Sequence, residues 1–565
     1  MTDTKKRAFQ GRGRKSKRRK IQRTPSQPGS NQEILATEVA QLLAAQKLSD
    51  SPDPTSPLPE PFSKIEVNVI SLSSTGDGLA THAKSRHLYV VPYCLPGDVV
   101  QVKVVKHVVD DGYSLADFEQ LVNSSPARDD SLVRCPYFGK CSGCQFQMMP
   151  YPDQLAHKKT IIEKAYAHFS GLDPPSVPAV GETIPSPMQY GYRTKLTPHF
   201  DGPPGYRSRK QEERQGWKET PPIGFMEKGT RRTIDIEDCI IGTDVVRMGL
   251  KRERKRVVRE LDKYMKGATL LVRESTTRTP YDAEGERGDE SVVEEAEQAI
   301  LRYSHRDYRE EKTCITDQNG MSTEFVSDWK FFNPANAFFQ NNNSILPVFT
   351  AYIREHVVPR SAPDPNPSPP LSYLIDAYSG SGLFTITLSS LFKSSTGIDI
   401  SASSIESARH NARENQIANA KFIAADAVAL FKDVSYPPSE TAVILDPPRK
   451  GCDGNFLSQL LAYGPKRIVY VSCNVHTQAR DVGMLVRGLE EGEKHGTGQG
   501  HGLDDEERDG EGRNGDSKEE EGGESGAHGT SNVRYEMESL RGFDFFPQTS
   551  HVEAVAVLTR KEEEG

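Results

Sequence analysis

Ordered recurrence of apolar positions begins near Phe62. From there to Val122 the runs KIEVNVISLS and HLYVVPYCLPGDVVQVKVVKHVV alternate apolar with polar residues around a TGDGLA turn. Alternation with a period of two, punctuated by Gly and Pro, marks half-buried strands, so the stretch predicts a small antiparallel barrel of the OB-like sort. Residues 24–60, rich in Ser, Pro, Gln and Asp, carry only a short helical pattern (Ile34, Leu35, Val39, Leu42, Leu43) and read as a mobile linker. Beyond the barrel, Pro152 signals a helix whose apolar face is Leu155, Ile161, Ile162, Ala165 and Phe169. Residues 183–345 mix strands and turns with a charged helical stretch around 246–266, an α+β pattern, and the acidic residues 281–299 read as an exposed insertion. The Pro-rich residues 358–370 form a semi-rigid lead into the last domain.

From Leu371 the period changes to strand, helix, strand, helix. LSYLIDAYS, SSTGIDI, TAVILDPP and KRIVYVSCN are buried strands separated by helical stretches. That alternation predicts a Rossmann-like, doubly wound α/β domain with a parallel sheet, whose ligands sit at the carboxyl ends of the strands. Four regions follow: a disordered basic arm and linker over 1–60, a barrel over 61–125, a central α+β domain over 130–345, and the α/β domain over 346–565. The last contains a disordered insertion at 488–530, with fourteen acids against four bases between Glu490 and Thr530.

Charge changes the picture at the N-terminus. The net charge of −8 hides eleven Lys or Arg against one Asp in residues 1–23. Such an arm suits a polyanion or an import receptor. It resembles a nuclear-localisation run more than a secretory or mitochondrial leader, so nucleus and/or cytoplasm is the expected location, with a mitochondrial one left open. No run of apolar residues is long enough for a membrane helix. Eight cysteines in 565 residues do not resemble a disulfide framework, and three of them, Cys135, Cys141 and Cys144, lie within ten residues. Thiolates so spaced bind a soft metal. Cys239 is the best candidate for a distant fourth ligand, with Cys94 and Cys314 as outside candidates, and four thiolates suit zinc or an iron–sulfur cluster.

Asp376-Ala-Tyr378-Ser-Gly380-Ser-Gly382 follows one strand and opens a helix, a nucleotide-binding arrangement. Asp399, seventeen residues past Gly382 at the next strand's end, is placed to accept ribose hydroxyls. Thr385 breaks the full G-x-G-x-x-G, which disfavours a dehydrogenase. Asp426 is placed to meet an adenine edge. Asp446-Pro447-Pro448-Arg449 resembles the turn of enzymes that methylate base amines, but Arg449 stands where those carry an aromatic residue. Two cysteines sit at strand ends, Cys452 and Cys473, and Cys473 leaves its strand at the catalytic edge directly before Asn474.

FFNPANAFFQNN, LIDAYSGSGLF, GIDIS, VILDPPRKG, YVSCNVHTQARD and FPQTSHVEAVAVL occur together and in this order. In these motifs the chain resembles the RNA uracil-5-methyltransferase family, in its fungal-like tRNA branch, over about residues 62–560. The resemblance implies a class I S-adenosylmethionine-dependent enzyme with Cys473 as nucleophile and Glu553 as proton acceptor. Gln340, Tyr378, Asp399 and Asp446 would line the S-adenosylmethionine site, with one hydrogen bond in doubt because Leu383 replaces the Asn of bacterial tRNA members. Phe338 and Phe339 either stack on a base or lie in the core. It also implies a TRAM-like barrel that holds RNA, and a [4Fe-4S] cluster rather than zinc on Cys135, Cys141, Cys144 and Cys239. The expected substrate is the T-loop uridine at position 54 of tRNA, with a ribosomal RNA uridine as the alternative within the family. Outside it stand a base-amine methyltransferase and a non-catalytic RNA-binding scaffold. The thiol has a chemical reason: carbon 5 of uracil becomes a nucleophile only after a thiolate adds at carbon 6, and a base must later take the carbon-5 proton.

Overall fold

The alternation that starts at Phe62 folds into a closed five-stranded barrel of Lys64–Leu72, Gly78–Thr81, Leu88–Val91, Val99–Val108 and Tyr113–Asn123. The computed structural model describes residues 26–46, 57–82, 87–206, 216–281, 291–294, 299–359, 370–425, 434–489 and 533–562. The basic arm, Asp426, most of the Pro-rich lead and the acidic insertion lie outside these. Val67, Val69, Tyr89, Val100, Val102 and Val104 fill the barrel. It is not wholly antiparallel, because Leu88–Val91 pairs in parallel with Tyr113–Asn123. That pairing closes the cylinder and leaves no free edge.

The mobile-linker reading of residues 24–60 is corrected. Asn31–Gln46 is a helix whose Leu35 and Val39 pack with Leu79, Leu88, Val90 and Tyr113 on the barrel's outer wall. A Ser-x-x-Glu start directs it: the Glu33 N–H donates to Ser30 Oγ (3.3 Å) and the Gly29 N–H to Glu33 Oε2 (2.6 Å). Average composition conceals a narrow apolar stripe of this kind, which needs a tertiary surface to become visible.

Residues 195–334 form a four-stranded sheet, a five-stranded sheet and a hairpin (Met321–Val326 with Trp329–Pro334). The proposed insertion at 281–299 is partly sheet, because Ser291–Glu294 pairs with Ala299–Ser304. Its Val292 and Val293 favour a strand despite the acidic surroundings. The charged stretch forms the helix Asp244–Arg259, which buries Val245 and Val246 against Leu196, Val272 and Leu301.

The last sheet has eight strands, ordered Ala420–Ala424, Ser394–Asp399, Tyr373–Ala377, Thr441–Leu445, Arg467–Ser472, Glu553–Arg560, Tyr535–Phe543 and Val180–Ile184. The first five run parallel, and Glu553–Arg560 enters antiparallel between Arg467–Ser472 and Tyr535–Phe543. Large apolar cores cover it, one including Ile375, Val443, Ile468 and Tyr470 and the other Leu374, Ile444, Val469 and Val471, as alternation along buried strands requires. The boundary at 346 is therefore corrected, since Val180–Ile184 belongs to this sheet. The helix Tyr151–Phe169 also joins it, burying Ile161, Ile162, Ala165 and Tyr166 in the first core.

That helix carries an unexpected polar load. Lys158 is fully buried and bonded to Asp544, with a second bond to the Phe546 carbonyl (2.9 Å); the Tyr151 hydroxyl also donates to Asp544 (2.9 Å). One turn away, Gln154 Nε2 donates to Gln548 Oε1 (3.1 Å) and the Gln548 N–H donates back to Gln154 Oε1 (3.0 Å). Together they fix the 544–551 loop that leads to Glu553. Removing one partner of a buried ion pair strands the other, so Lys158→Met lowers unfolding free energy by about 3–5 kcal/mol in urea titrations. Among the described residues no helix is long and apolar enough to cross a membrane.

Candidate active site

Strand register brings the two principal groups together. Ser472 pairs with Ala554 as the last step of the antiparallel ladder, so Cys473 leaves its strand beside Glu553, the first residue of the next strand, which acts on the thiol. Asp446 leaves the neighbouring parallel strand, Thr441–Leu445, at the same sheet edge. Cys473 is half-buried, Glu553 buried and Arg449 exposed.

Burial pushes the Cys473 thiol up to about 12, and Glu553 and Asp446 push it the same way. The Arg449 guanidinium opposes them. Burial and then Asp446 hold Glu553 well above the usual carboxylate range, again against Arg449. Burial and then Asp376 raise Asp446 to about 7. The Cys473 thiol and the Glu553 carboxyl thus share one cation in a partly dry site, the arrangement that keeps protons available for transfer. Arg449 carries more chemistry than its motif position revealed.

The turn bearing Arg449 is held by its own carbonyl, which accepts from Asn474 Nδ2 (3.0 Å) and Thr477 Oγ1 (3.0 Å). Asn474 also starts the helix Val475–Arg487 by accepting the His476 N–H (3.2 Å). Cys452 has a different setting. It is buried, its N–H donates to Asp481 Oδ2 (2.7 Å), its sulfur lies 3.5 Å from the Tyr470 hydroxyl, and burial and Asp481 hold the thiol well above its usual range. Such a neutral interior thiol is a poor nucleophile. His551, in the loop before Glu553, is lowered to about 4 by burial, Arg449, Lys158 and Arg193.

Raised carboxyl pKa values have a stability cost with a definite sign. Asp446 binds its proton more tightly in the fold than in the unfolded chain, so stability falls as pH rises from the unfolded value toward 7. Asp446→Asn therefore raises unfolding free energy by on the order of 1–2 kcal/mol above neutral pH, and the gain disappears in acid below the unfolded carboxyl pKa. Urea titrations across that range read the difference.

At the next strand ends, Asp399 Oδ2 accepts the Gly380 N–H (2.9 Å) and Oδ1 the Ser401 N–H (2.8 Å). Asp376 Oδ2 accepts the Thr385 N–H (2.9 Å) and hydroxyl (2.6 Å), leaving its buried Oδ1 without a partner. Tyr378 has a positive φ of 65° and packs its ring 5.5 Å from Phe456. A Cβ on Gly380 would meet nothing within 4 Å, whereas one on Gly382 would press Ile386 and Phe422 at 3.2 Å. The second glycine serves packing and the first borders open space. Gln340 is half-buried in a loop that follows the 329–334 strand. Buried Arg273 secures that loop, donating to the carbonyls of Pro334 (3.3 Å), Ala335 (3.1 Å) and Ala337 (2.7 Å). Of the paired phenylalanines, Phe339 is core against Phe331, while Phe338 is 73% exposed.

Cys135, Cys141, Cys144 and Cys239 form a second cluster. Burial pushes Cys144 and Cys239 up to about 12; Cys239 and the other two thiols act on Cys144, and Cys141 and Cys135 act on Cys239. The Cys141 sulfur accepts the Gly143 N–H (3.4 Å). Among the described residues, however, no three His, Cys, Asp or Glu side chains are arranged to hold a metal ion. Cys94 lies in the barrel core, and Cys314 lies beside Val272 in an apolar cluster against which Cys239 also packs.

Comparison with known proteins supplies the family. Residues 371–489 match the model of tRNA (Uracil-5-)-methyltransferase. The tRNA (uracil(54)-C(5))-methyltransferase of Schizosaccharomyces pombe is 39% identical over 97% of this chain and 87% of its own. The chain belongs to the tRNA (uracil-5-)-methyltransferase family. A protein of the same description from Saccharomyces cerevisiae is 36% identical over 97% of this chain and 84% of its own. The fold is also that of the Pyrococcus abyssi tRNA (uracil-54, C5)-methyltransferase crystallised with S-adenosyl-L-homocysteine, with a TM-score of 0.53, 22% identity, and coverage of 88% of this chain and 100% of that one. Membership fits the placement of Cys473, Glu553 and Asp446 at one sheet edge, on motifs distributed through the matched length.

Proposed function

We propose that this chain methylates carbon 5 of a uridine in tRNA, at position 54, through a temporary bond between Cys473 and carbon 6 of the base. The observation that carries this reading is Cys473 leaving its strand beside the start of the Glu553 strand, where Glu553 opposes and Arg449 favours the thiolate. When bound, S-adenosylmethionine supplies an electrophilic sulfonium methyl. The strand order and the open side of Gly380 support a class I site for it, in which Asp399, Tyr378, Gln340 and Asp446 hold the ligand.

Arg449 stabilises the Cys473 thiolate as it approaches carbon 6. Asp446 accepts or donates a hydrogen bond at the ring edge, which its intermediate pKa permits. After methyl transfer Glu553 reacts in its ionised form, which Arg449 favours. The carboxylate is then free to take the carbon-5 proton, and the electrons of that C–H bond form the ring double bond as the C–S pair returns to Cys473. The target base must leave its stack to reach the thiol, at a cost of a few kcal/mol. Exposed Phe338 offers a surface to stack on, and the barrel a surface for phosphates and shape. The full-length chain, incubated with S-adenosylmethionine and tRNA containing 5-fluorouracil, forms a denaturation-resistant protein–RNA adduct, because fluorine cannot leave as a proton. A protein that methylates tRNA without trapping this adduct contradicts the covalent route.

The same reading assigns a [4Fe-4S] cluster, with zinc as the alternative, to Cys135, Cys141, Cys144 and Cys239. Three cysteines within ten residues, which the fold brings close enough to Cys239 to act on it, support this set of ligands. Protein purified without oxygen should contain iron and show a broad visible band. About one zinc per chain without iron refutes the cluster. The basic run at 1–23 supports a nuclear as well as a cytoplasmic location.

A further inference from the structure

Residues 28–46 touch three parts of the molecule. Glu38, buried in the middle of the Asn31–Gln46 helix, accepts the Ser74 N–H of a barrel turn (3.1 Å to each carboxylate oxygen) and the Lys164 ammonium of the Tyr151–Phe169 helix (3.2 Å). At the other end, the Gly29 carbonyl accepts a hydrogen bond from Asn474 Nδ2 (3.1 Å), across 445 residues of sequence. Gly29 adopts a φ of +70°, and a Cβ there would lie 2.5 Å from Thr477 Cγ2 and 2.7 Å from Asn474 Nδ2. Only glycine fits that seat without a shift.

The two side chains it meets are those that hold the Arg449 carbonyl. The Asn474 amide donates to Gly29 and Arg449 together, and Thr477 donates to Arg449 as well. A segment from the far N-terminus therefore closes the back of the Arg449 turn through Asn474, the residue next to Cys473. We infer that Gly29 is a positioning residue for the reacting thiol, acting through Asn474 and the Arg449 turn. Its effect on turnover rests on the methyl-transfer reading above; its effect on the thiol does not.

Full-length Gly29→Val forces Asn474 and Thr477 apart. Turnover at saturating tRNA and S-adenosylmethionine falls about tenfold, in the range that a shift of an ångström or less produces at a reacting centre. The KM for S-adenosylmethionine stays within about twofold, because the 376–399 site is untouched. Alkylation of Cys473 by iodoacetamide, located by mass spectrometry, slows as well, since the thiolate loses part of its cation. Glu38→Ala loosens the Asn31–Gln46 helix from the barrel but leaves Gly29 in place, and it keeps parental turnover and alkylation. Slower alkylation in Gly29→Val, in a protein that proves not to methylate tRNA, upholds the positioning role and overturns only the reaction. Parental alkylation and turnover in Gly29→Val overturn the inference, and so does an equal loss in Glu38→Ala, which makes the effect one of general loosening.

Discussion

Cys473→Ala abolishes both turnover and the 5-fluorouracil adduct, lowering methyl transfer by about four orders of magnitude or more, as removal of a covalent nucleophile does elsewhere. The variant keeps its fold, because Cys473 is half-buried at a strand exit and fills no core. Binding of S-adenosylmethionine, measured by calorimetry, is therefore unchanged. The companion Cys452→Ala removes a sulfur locked between Asp481 and Tyr470, and it costs stability rather than chemistry. An adduct that survives Cys473→Ala and disappears in Cys452→Ala reverses the choice of thiol. In the parental protein the adduct rate rises with pH through the neutral range, since the thiol starts protonated at a pKa of about 12. Arg449→Ala, by removing the cation that favours the thiolate, lowers the rate throughout that range.

Glu553→Gln produces a different failure. Addition of sulfur and arrival of the methyl group do not require this carboxylate, but loss of the carbon-5 proton does. With ordinary tRNA the variant accumulates a methylated covalent complex, visible as a retarded band on denaturing gels, while steady-state turnover falls by about two to four orders of magnitude. Parental protein shows little such band. A Glu553→Gln protein that turns over normally and traps nothing removes Glu553 from the reaction. The substitution also neutralises a buried acid held well above the usual range, so the variant is no less stable than the parent at neutral pH.

The chemistry was legible in the sequence to the extent that it is carried by strand ends. Asp399, Asp446 and Cys473 each follow an apolar run that could only be a buried strand, and parallel packing brings such ends to one edge. Strand order was not legible. Nothing in the chain says that the 553–560 strand inserts between 467–472 and 535–543, and that insertion sets Glu553 beside the thiol. Gln154 and Lys158 read as the wet side of a helix, because their partners arrive from almost four hundred residues away. Gly29 carried no signal at all. Its conformational demand exists only against Asn474 and Thr477, whereas Gly380 and Gly382 could be read from a local turn.

Reacting groups that come from opposite sides of the acidic stretch have an evolutionary corollary. Cys473 lies upstream of it and Glu553 downstream, yet both are pinned by the same ladder of backbone bonds from 467–472 to 554–559. Lineages can thus lengthen, shorten or recharge the intervening 488–530 at little catalytic penalty. A single residue gained or lost between 554 and 559 would turn the acid away from the sulfur, so variation in length should concentrate on one side of that ladder and be purged on the other.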